Sequence, residues 1–263
     1  KGGKKNRKFR LIAATEKLSS VAKQAIAFNA KYVIPFASFV WFCHEENYYL
    51  NDGINTVDTT VARQYDYDAE LIIMKPLQSW KIGDDWSNDE AIEFWRHQYN
   101  SLSSRERLKS HHSVPPEDLQ KSFIIYRERM RKNNNILLLY LTRFNPFIRG
   151  FEPFALYLQD LGITISVSII DGIELLSDSE LAIIMHSTSL KFIFDNDFGY
   201  DTLTVNGRFE ASQEGFDKMT KSFALGSLNA LGLNLGIGLL SRFEIILLLL
   251  SKLKTTLSKI ASD

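Results

Sequence analysis

At 263 residues the chain can hold one large domain or two modest ones, and 45% hydrophobic with 24% charged residues is the composition of an ordinary globular protein. Lys plus Arg and Asp plus Glu both total 31, so no net field draws the protein to nucleic acid or to an anionic membrane. The single cysteine, Cys43, excludes an internal disulfide framework and fits a reducing compartment, so the expected location is the cytoplasm.

The chain starts at Lys1 with neither a signal peptide nor a transit peptide, and its first residue reads as a truncation or processing point. Lys1–Arg10 carries six basic residues, which read as a solvated end rather than a polyanion site. Leu11 to Asn29 follows as an expected helix. Leu11, Ala14, Leu18, Val21, Ala25 and Ile26 recur at three-to-four spacing and predict one buried face. Lys31–Pro35 is a short apolar strand, so helix and strand together form one step of a layered α/β domain.

Tyr32–Thr56, YVIPFASFVWFCHEENYYLNDGINT, is the most informative stretch. After Pro35 it becomes dense in aromatic, amide and acidic side chains. Phe36, Phe39, Trp41 and Phe42 are expected to pack the strand end. His44, Glu45, Glu46, Asn47, Asn51, Asp52 and Asn55 follow at a strand's carboxyl end, where α/β domains place ligands. Adjacency does not make Cys43 and His44 a catalytic dyad, because such partners meet in space.

The string IPFASFVWFCHEENYYLNDGINT resembles the closing segment of the metallo-β-lactamase fold, in the branch of the CMP-N-acetylneuraminate hydroxylases. It is still more similar to the hydrolase-like relatives of that branch in bacterial surface-polysaccharide clusters. The resemblance implies a metal-binding αββα sandwich acting by hydrolysis or oxidation on a sugar nucleotide or related small molecule, with zinc or iron as cofactor. It makes His44 a metal-site residue and Asn47 and Asn51 substrate-proximal. The HxHxDH signature of that family occurs nowhere in the chain. A catalytic metal needs about three or four converging ligands, so the expectation is a fragment inactive by itself.

Val57–Glu70 is expected as a helix, with Asp58 favourable to its dipole, and Leu71–Lys75 as a strand that pairs with Ser79–Ile82 across Pro76. Asp84, Asp85 and Asp89 lack calcium-loop spacing, and Ser87–Asp89 is expected to cap a helix over Asn88–Asn100. Glu93 and His97, one turn apart, read as a surface pair rather than a metal grip. Ser101–Pro116 is a polar connection in which the tandem His111 and His112 carry no geometry. Pro115 and Pro116 open a helix to about Lys132 with Leu119, Phe123, Tyr126 and Met130 inward.

Ile136–Leu141 is too short to span a membrane, and Phe147–Phe154 reads as a boundary. Phe154–Gln159 and Ile163–Ile170 are expected strands, and Ser177 and Asp178 cap a helix from Ser179 to about His186. Leu190–Phe194 fits strand or helix. Leu203 and Val205 alternate with threonines before Asn206–Gly207, which predicts a hairpin returning through Arg208 and Phe209. This order resembles a sterol-carrier-type α+β module. In the tail, Gly226, Gly232, Gly236 and Gly238 weaken any helix, and Ile245–Leu250 is wholly apolar. The tail reads, in order of preference, as a buried helix, a homo-oligomer surface or a peripheral membrane contact.

The expected fold class is thus α/β plus α+β: residues 1–57 end a metallo-β-lactamase-like domain, 58–145 are a mostly helical accessory region, and 146–263 are an α+β domain with an apolar helical tail. Two function classes follow, the C-terminal part of a metal-dependent hydrolase or oxygenase-like enzyme, and a non-catalytic binding or assembly module.

Overall fold

The computed structural model describes residues 4, 6–36, 39–110, 112–145, 149–177, 183–236 and 238. The chain forms two compact units, Lys1–Lys109 and Ser110–Asp263. Its class is mixed, with helices throughout, one parallel strand pair and one five-stranded mixed sheet.

In the first unit α1 spans Arg7–Ala27, beginning four residues before its expected start. Its buried face matches the expected one in part, with Ala25 buried and Ala14 and Leu18 half-buried. Arg10, Ala22 and Ala25 are buried, whereas Leu11, Val21 and Ile26 are exposed. The start of α1 lies close against the short 3-10 helix Tyr48–Gly53, where a Cβ on Gly53 would lie 2.6 Å from the Arg10 Cβ.

β1 (Tyr32–Val33) pairs in parallel with β2 (Glu70–Leu71), with Tyr32 opposite Glu70 and Val33 opposite Leu71. Between them α2 (Val57–Val61) opens on a reciprocal Thr56–Thr59 capping box. It ends well before Glu70, the expected limit, because Tyr65–Asp68 is a poor helix former. Ser79–Ile82 does not pair with β2: Trp80 Nε1 donates to the Asp84 carbonyl at 3.0 Å and folds this segment into a turn. α3 (Asp89–Ser101) packs over the strands, closing a small core of Val57, Leu71, Ile73 and Ala91 beside Phe39 and Trp95. Asn88 secures it. Its Oδ1 accepts from Ile73 N–H at 2.7 Å and its Nδ2 donates to the Leu71 carbonyl at 2.7 Å.

The second unit begins with α4 (Pro116–Asn133), which buries Leu119, Phe123, Tyr126 and Met130 as its spacing requires. α5 (Ile136–Phe144) follows after an Asn135 cap. Then come β3 (Phe154–Leu158), β4 (Ile163–Ser168), β5 (Gly172–Leu176), β6 (Ile183–Met185), α6 (Ser187–Asp195), α7 (Gly199–Asn206), β7 (Phe209–Ala211) and α8 (Gln213–Ala230). The sheet order is β5-β4-β3-β6-β7. β3, β4 and β5 form an antiparallel meander, β6 joins β3 in parallel, and β7 returns antiparallel to β6. α4, α6 and α8 bury their aromatic side chains in one core, where Phe123, Tyr126, Phe194 and Phe223 meet at ring-centroid distances of 5.3 to 6.1 Å.

Three expectations fail in this unit. The helix over 179–186 is contradicted at Ile183–Met185, a strand buried between β3 and β7; its cap and first residues, 178–182, lie outside the described residues. The hairpin strand at Leu203 and Val205 is instead α7, in which Tyr200 and Leu203, three apart, face the core. Gly207 is its left-handed C-terminal cap (φ 67°), with its N–H on the Leu203 carbonyl at 2.9 Å. The third concerns Gly226 alone, which α8 runs through, whereas the helix does end at Ala230, before Gly232 with its φ of 74°. Gly226 lies in its last turns, where a Cβ would meet the Tyr126 hydroxyl of α4 at 3.4 Å, an ordinary van der Waals contact.

Candidate functional site

Two places gather chemically able side chains. The first is the Tyr32–Thr56 stretch. His44 and Leu108 form an isolated parallel bridge, with Glu45 N–H on the Leu108 carbonyl at 3.0 Å and Leu108 N–H on the Cys43 carbonyl at 2.9 Å. The imidazole Nδ1 accepts from Glu46 N–H at 3.3 Å and lies 4.0 Å from the Glu46 carboxylate. Asn47 is buried and its Oδ1 accepts from His44 N–H at 3.1 Å. Asn51 accepts from Phe42 N–H at 2.9 Å and donates to the Phe42 carbonyl at 2.8 Å, as a neighbouring strand would. The structure thus brings His44, Asn47 and Asn51 together around one backbone segment.

Asp52 and Asn55 tie that segment to α1. Asp52 takes a two-pronged salt bridge from Arg10, Nε to Oδ1 and Nη2 to Oδ2, both at 2.6 Å. Hydrogen bonding from Arg10 holds the Asp52 carboxyl below its usual range and raises the Arg10 guanidinium in turn. Asn55 donates to the Ala14 carbonyl at 2.9 Å. Of the aromatic run, Phe39 packs on Trp95 and Trp41 on Tyr48, while Phe36 is exposed. Glu93 and His97 are exposed on α3. His111 lies outside the described residues. No group of three or more His, Cys, Asp and Glu side chains able to hold a metal ion occurs among the described residues.

The second place, in the other unit, is where the parallel strands β3 and β6 end and α6 begins. Asp160 Oδ1 accepts from Ser187 N–H at 2.8 Å, and Ser187 Oγ donates to the other carboxylate oxygen. Val114 N–H donates to Ser187 Oγ at 2.8 Å. His186 Nε2 lies 3.5 Å from Asp160, while its Nδ1 accepts from Thr188 N–H at 3.2 Å. Both side chains are 8% exposed. Burial by itself would raise the Asp160 carboxyl, but the hydrogen bonds from Ser187 and Ser113 outweigh it and hold the group below its usual range.

Asp, His and Ser together invite comparison with a nucleophilic triad, and the geometry answers it. A nucleophilic serine must hydrogen-bond its base. Here Ser187 bonds Asp160 directly, and the imidazole addresses Thr188. The group is a clamp on a helix start: a carboxylate against the first N–H groups of α6, where the helix dipole favours negative charge. Sequence reading misses it, because Asp160 and Ser187 are 27 positions apart. The available signal is the His186–Ser189 run, rich in capping side chains directly after an apolar strand.

No helix among the described residues is long and apolar enough to cross a membrane. A scan against family models and searches of curated proteins and of solved structures found no significant match to this chain.

Proposed function

We propose that this chain is the accessory, C-terminal portion of a metal-dependent hydrolase, or oxygenase-like enzyme, of the metallo-β-lactamase superfamily. In this reading it works in the cytoplasm on a sugar nucleotide or related substrate of surface-polysaccharide metabolism. The unit Lys1–Lys109 is the closing wall of a site whose zinc or iron ligands are carried mainly elsewhere, with His44 at its edge. The observation that carries the reading is the fixed shape of Tyr32–Thr56: Asn47 and Asn51 hold the His44 segment rigid against the 3-10 helix, and Arg10 locks that helix to α1. The exposed Leu11, Ile12 and Ile26 on α1 supply an apolar flank for a larger α/β body. Such a metal, when bound, would supply Lewis-acid or water-activating chemistry. The second unit is then the α+β accessory domain, whose element order is the basis of its likeness to sterol-carrier-type modules.

A second reading has its own observation. The amides and Asp52 of the stretch are engaged with backbone and with Arg10, and no metal-ligating group of three exists among the described residues, which favours a non-catalytic binding or assembly module. Elemental analysis of the full-length natural protein separates the two. About two equivalents of zinc or iron support the enzyme. A metal-free protein that still forms a specific complex overturns it.

A further inference from the structure

The first unit holds six arginines, and four of them meet a carboxylate: Arg7 and Arg10 at Asp52, Arg63 at Asp66 and Arg96 at Asp58. Arg105 and Arg107 meet none among the described residues, and Glu106 between them pairs with neither. Arg105 Nη2 donates to neutral oxygens, Gln98 Oε1 at 3.1 Å and Ser101 Oγ at 3.2 Å. Arg107 makes no hydrogen bond or ion pair among the described residues. Its guanidinium carbon lies 3.7 Å from the centre of the Tyr48 ring, a stacking contact that leaves the N–H groups at its rim open.

Backbone bonds set the place of Arg107. Leu108, next to it, donates to the Cys43 carbonyl and accepts from Glu45 N–H, which fixes it beside His44. Lys109 already engages the Glu45 carboxylate at 3.3 Å.

A second donor lacks an acceptor at the same ring. Trp80, Trp86 and Trp95 each donate the indole N–H to a main-chain carbonyl at 3.0 to 3.1 Å. Trp41 has no such acceptor among the described residues, and its ring packs edge-on with Tyr48 at 5.7 Å. Tyr99 packs on Trp41 as well, at 6.3 Å, and helps to hold it. Water serves these donors in the free protein, so they are available without strain.

We propose that Arg107, stacked on Tyr48, binds a phosphoryl anion of a small molecule together with Arg105 and Trp41. A guanidinium held flat against a ring presents a paired N–H edge that matches phosphate oxygens. Arg105, two residues away, adds a second charge within roughly 7 Å along the chain. Two uncompensated cations suit a group bearing about two negative charges near neutral pH, as a phosphoryl group does and a single carboxylate does not. The site needs no metal and serves an enzyme or a binding module equally, so its failure leaves both readings of function standing.

Calorimetric titration of the whole chain with inorganic pyrophosphate at low salt tests the site, with acetate as the carboxylate probe. Saturable pyrophosphate binding at roughly 1 mM or tighter is expected, with acetate about tenfold weaker or more. Arg107→Gln should weaken pyrophosphate about tenfold or more. Arg107→Lys should weaken it about fivefold, because an ammonium keeps the charge but loses the stack and the fork. Trp41→Phe, which keeps a ring and removes the N–H, should weaken it about threefold. Lys132→Gln, the same change of charge in the second unit, should leave it unaltered. Absent binding overturns the proposal, as does equal affinity in the parent and Arg107→Gln, or acetate binding as tightly as pyrophosphate. A loss in Lys132→Gln as large as in Arg107→Gln reports a diffuse field and overturns it too. Urea unfolding followed by tryptophan fluorescence checks the fold of each variant. If Arg107→Gln shifts the midpoint, Arg107→Lys and Trp41→Phe decide, and parental affinity in both overturns the proposal.

Discussion

Asn51 grips Phe42 with both ends of its amide, Oδ1 on the N–H at 2.9 Å and Nδ2 on the carbonyl at 2.8 Å, and so replaces a missing β-partner for a segment that belongs to no sheet. Asn51→Ala should cost about 2 kcal/mol, roughly 1 kcal/mol for each side-chain to backbone bond. All four tryptophans, Trp41, Trp80, Trp86 and Trp95, lie in the first unit, so urea unfolding followed by their fluorescence reports it alone. A midpoint equal to that of the parent chain would refute the structural role of Asn51.

Arg10 and Gly53 make a second joint. Gly53→Ala drives a methyl group into the Arg10 Cβ and backbone, so it should destabilise the first unit by about 1–3 kcal/mol. Asp52→Asn, which leaves the buried guanidinium without its counter-charge, should cost about 2 kcal/mol, less than a wholly buried pair because Asp52 is one-third exposed. The double variant Gly53→Ala/Asp52→Asn should cost less than the sum, since both act by freeing the same helix. Strict additivity in fluorescence-monitored unfolding would contradict a shared joint.

The Asp160 clamp predicts a pH dependence. Its folded carboxyl sits below the ordinary aspartate value of about 3.9, so the stabilisation is present above that value and is lost as pH falls through the lower folded one. Asp160→Asn should therefore be less stable by about 2 kcal/mol near neutral pH, and the gap should close on acidification below about pH 4. Far-ultraviolet circular dichroism in urea at a series of pH values measures this. A gap that is constant with pH would remove the charge from the account.

Gly199 and Tyr126 predict effects of opposite sign in the second unit. A Cβ on Gly199 would lie 2.5 Å from the Phe192 carbonyl oxygen and 2.7 Å from the Ile193 Cα, both backbone, so Gly199→Ala should cost about 3 kcal/mol. The Tyr126 hydroxyl is fully buried with no hydrogen-bond partner among the described residues, and burial pushes its ionisation well above the normal range. Tyr126→Phe relieves an unsatisfied donor and should be neutral or stabilising by about 1 kcal/mol. Thermal unfolding followed by hydrogen exchange in α4 distinguishes these outcomes.

What could be read in the sequence follows the strength of local patterns. Long periodic helices and alternating strands were legible: α4 shows its buried side at Leu119, Phe123, Tyr126 and Met130, and β3 and β4 lie within a residue or two of their expected spans. Short apolar runs were not. Ile183–Met185 became a strand because β3 and β7 flank it, and residues 199–206 became a helix although their Thr and Val alternate, because Tyr200 and Leu203 also fit a helical spacing. β5 escaped notice because it is an edge strand with half-exposed side chains and no alternation. The polar density of Tyr32–Thr56 was visible, but not its use: an amide that grips a neighbouring backbone and one that faces a ligand look alike until the contacts are known.

In the proposed reading Tyr32–Thr56 is a structural wall rather than a complete metal site in its own right. Equilibrium dialysis of the chain against zinc or ferrous ion, followed by elemental analysis, tests it most directly. Far less than one equivalent per chain, unchanged in His44→Ala, is the expected result. A stoichiometric metal that His44→Ala abolishes would contradict it.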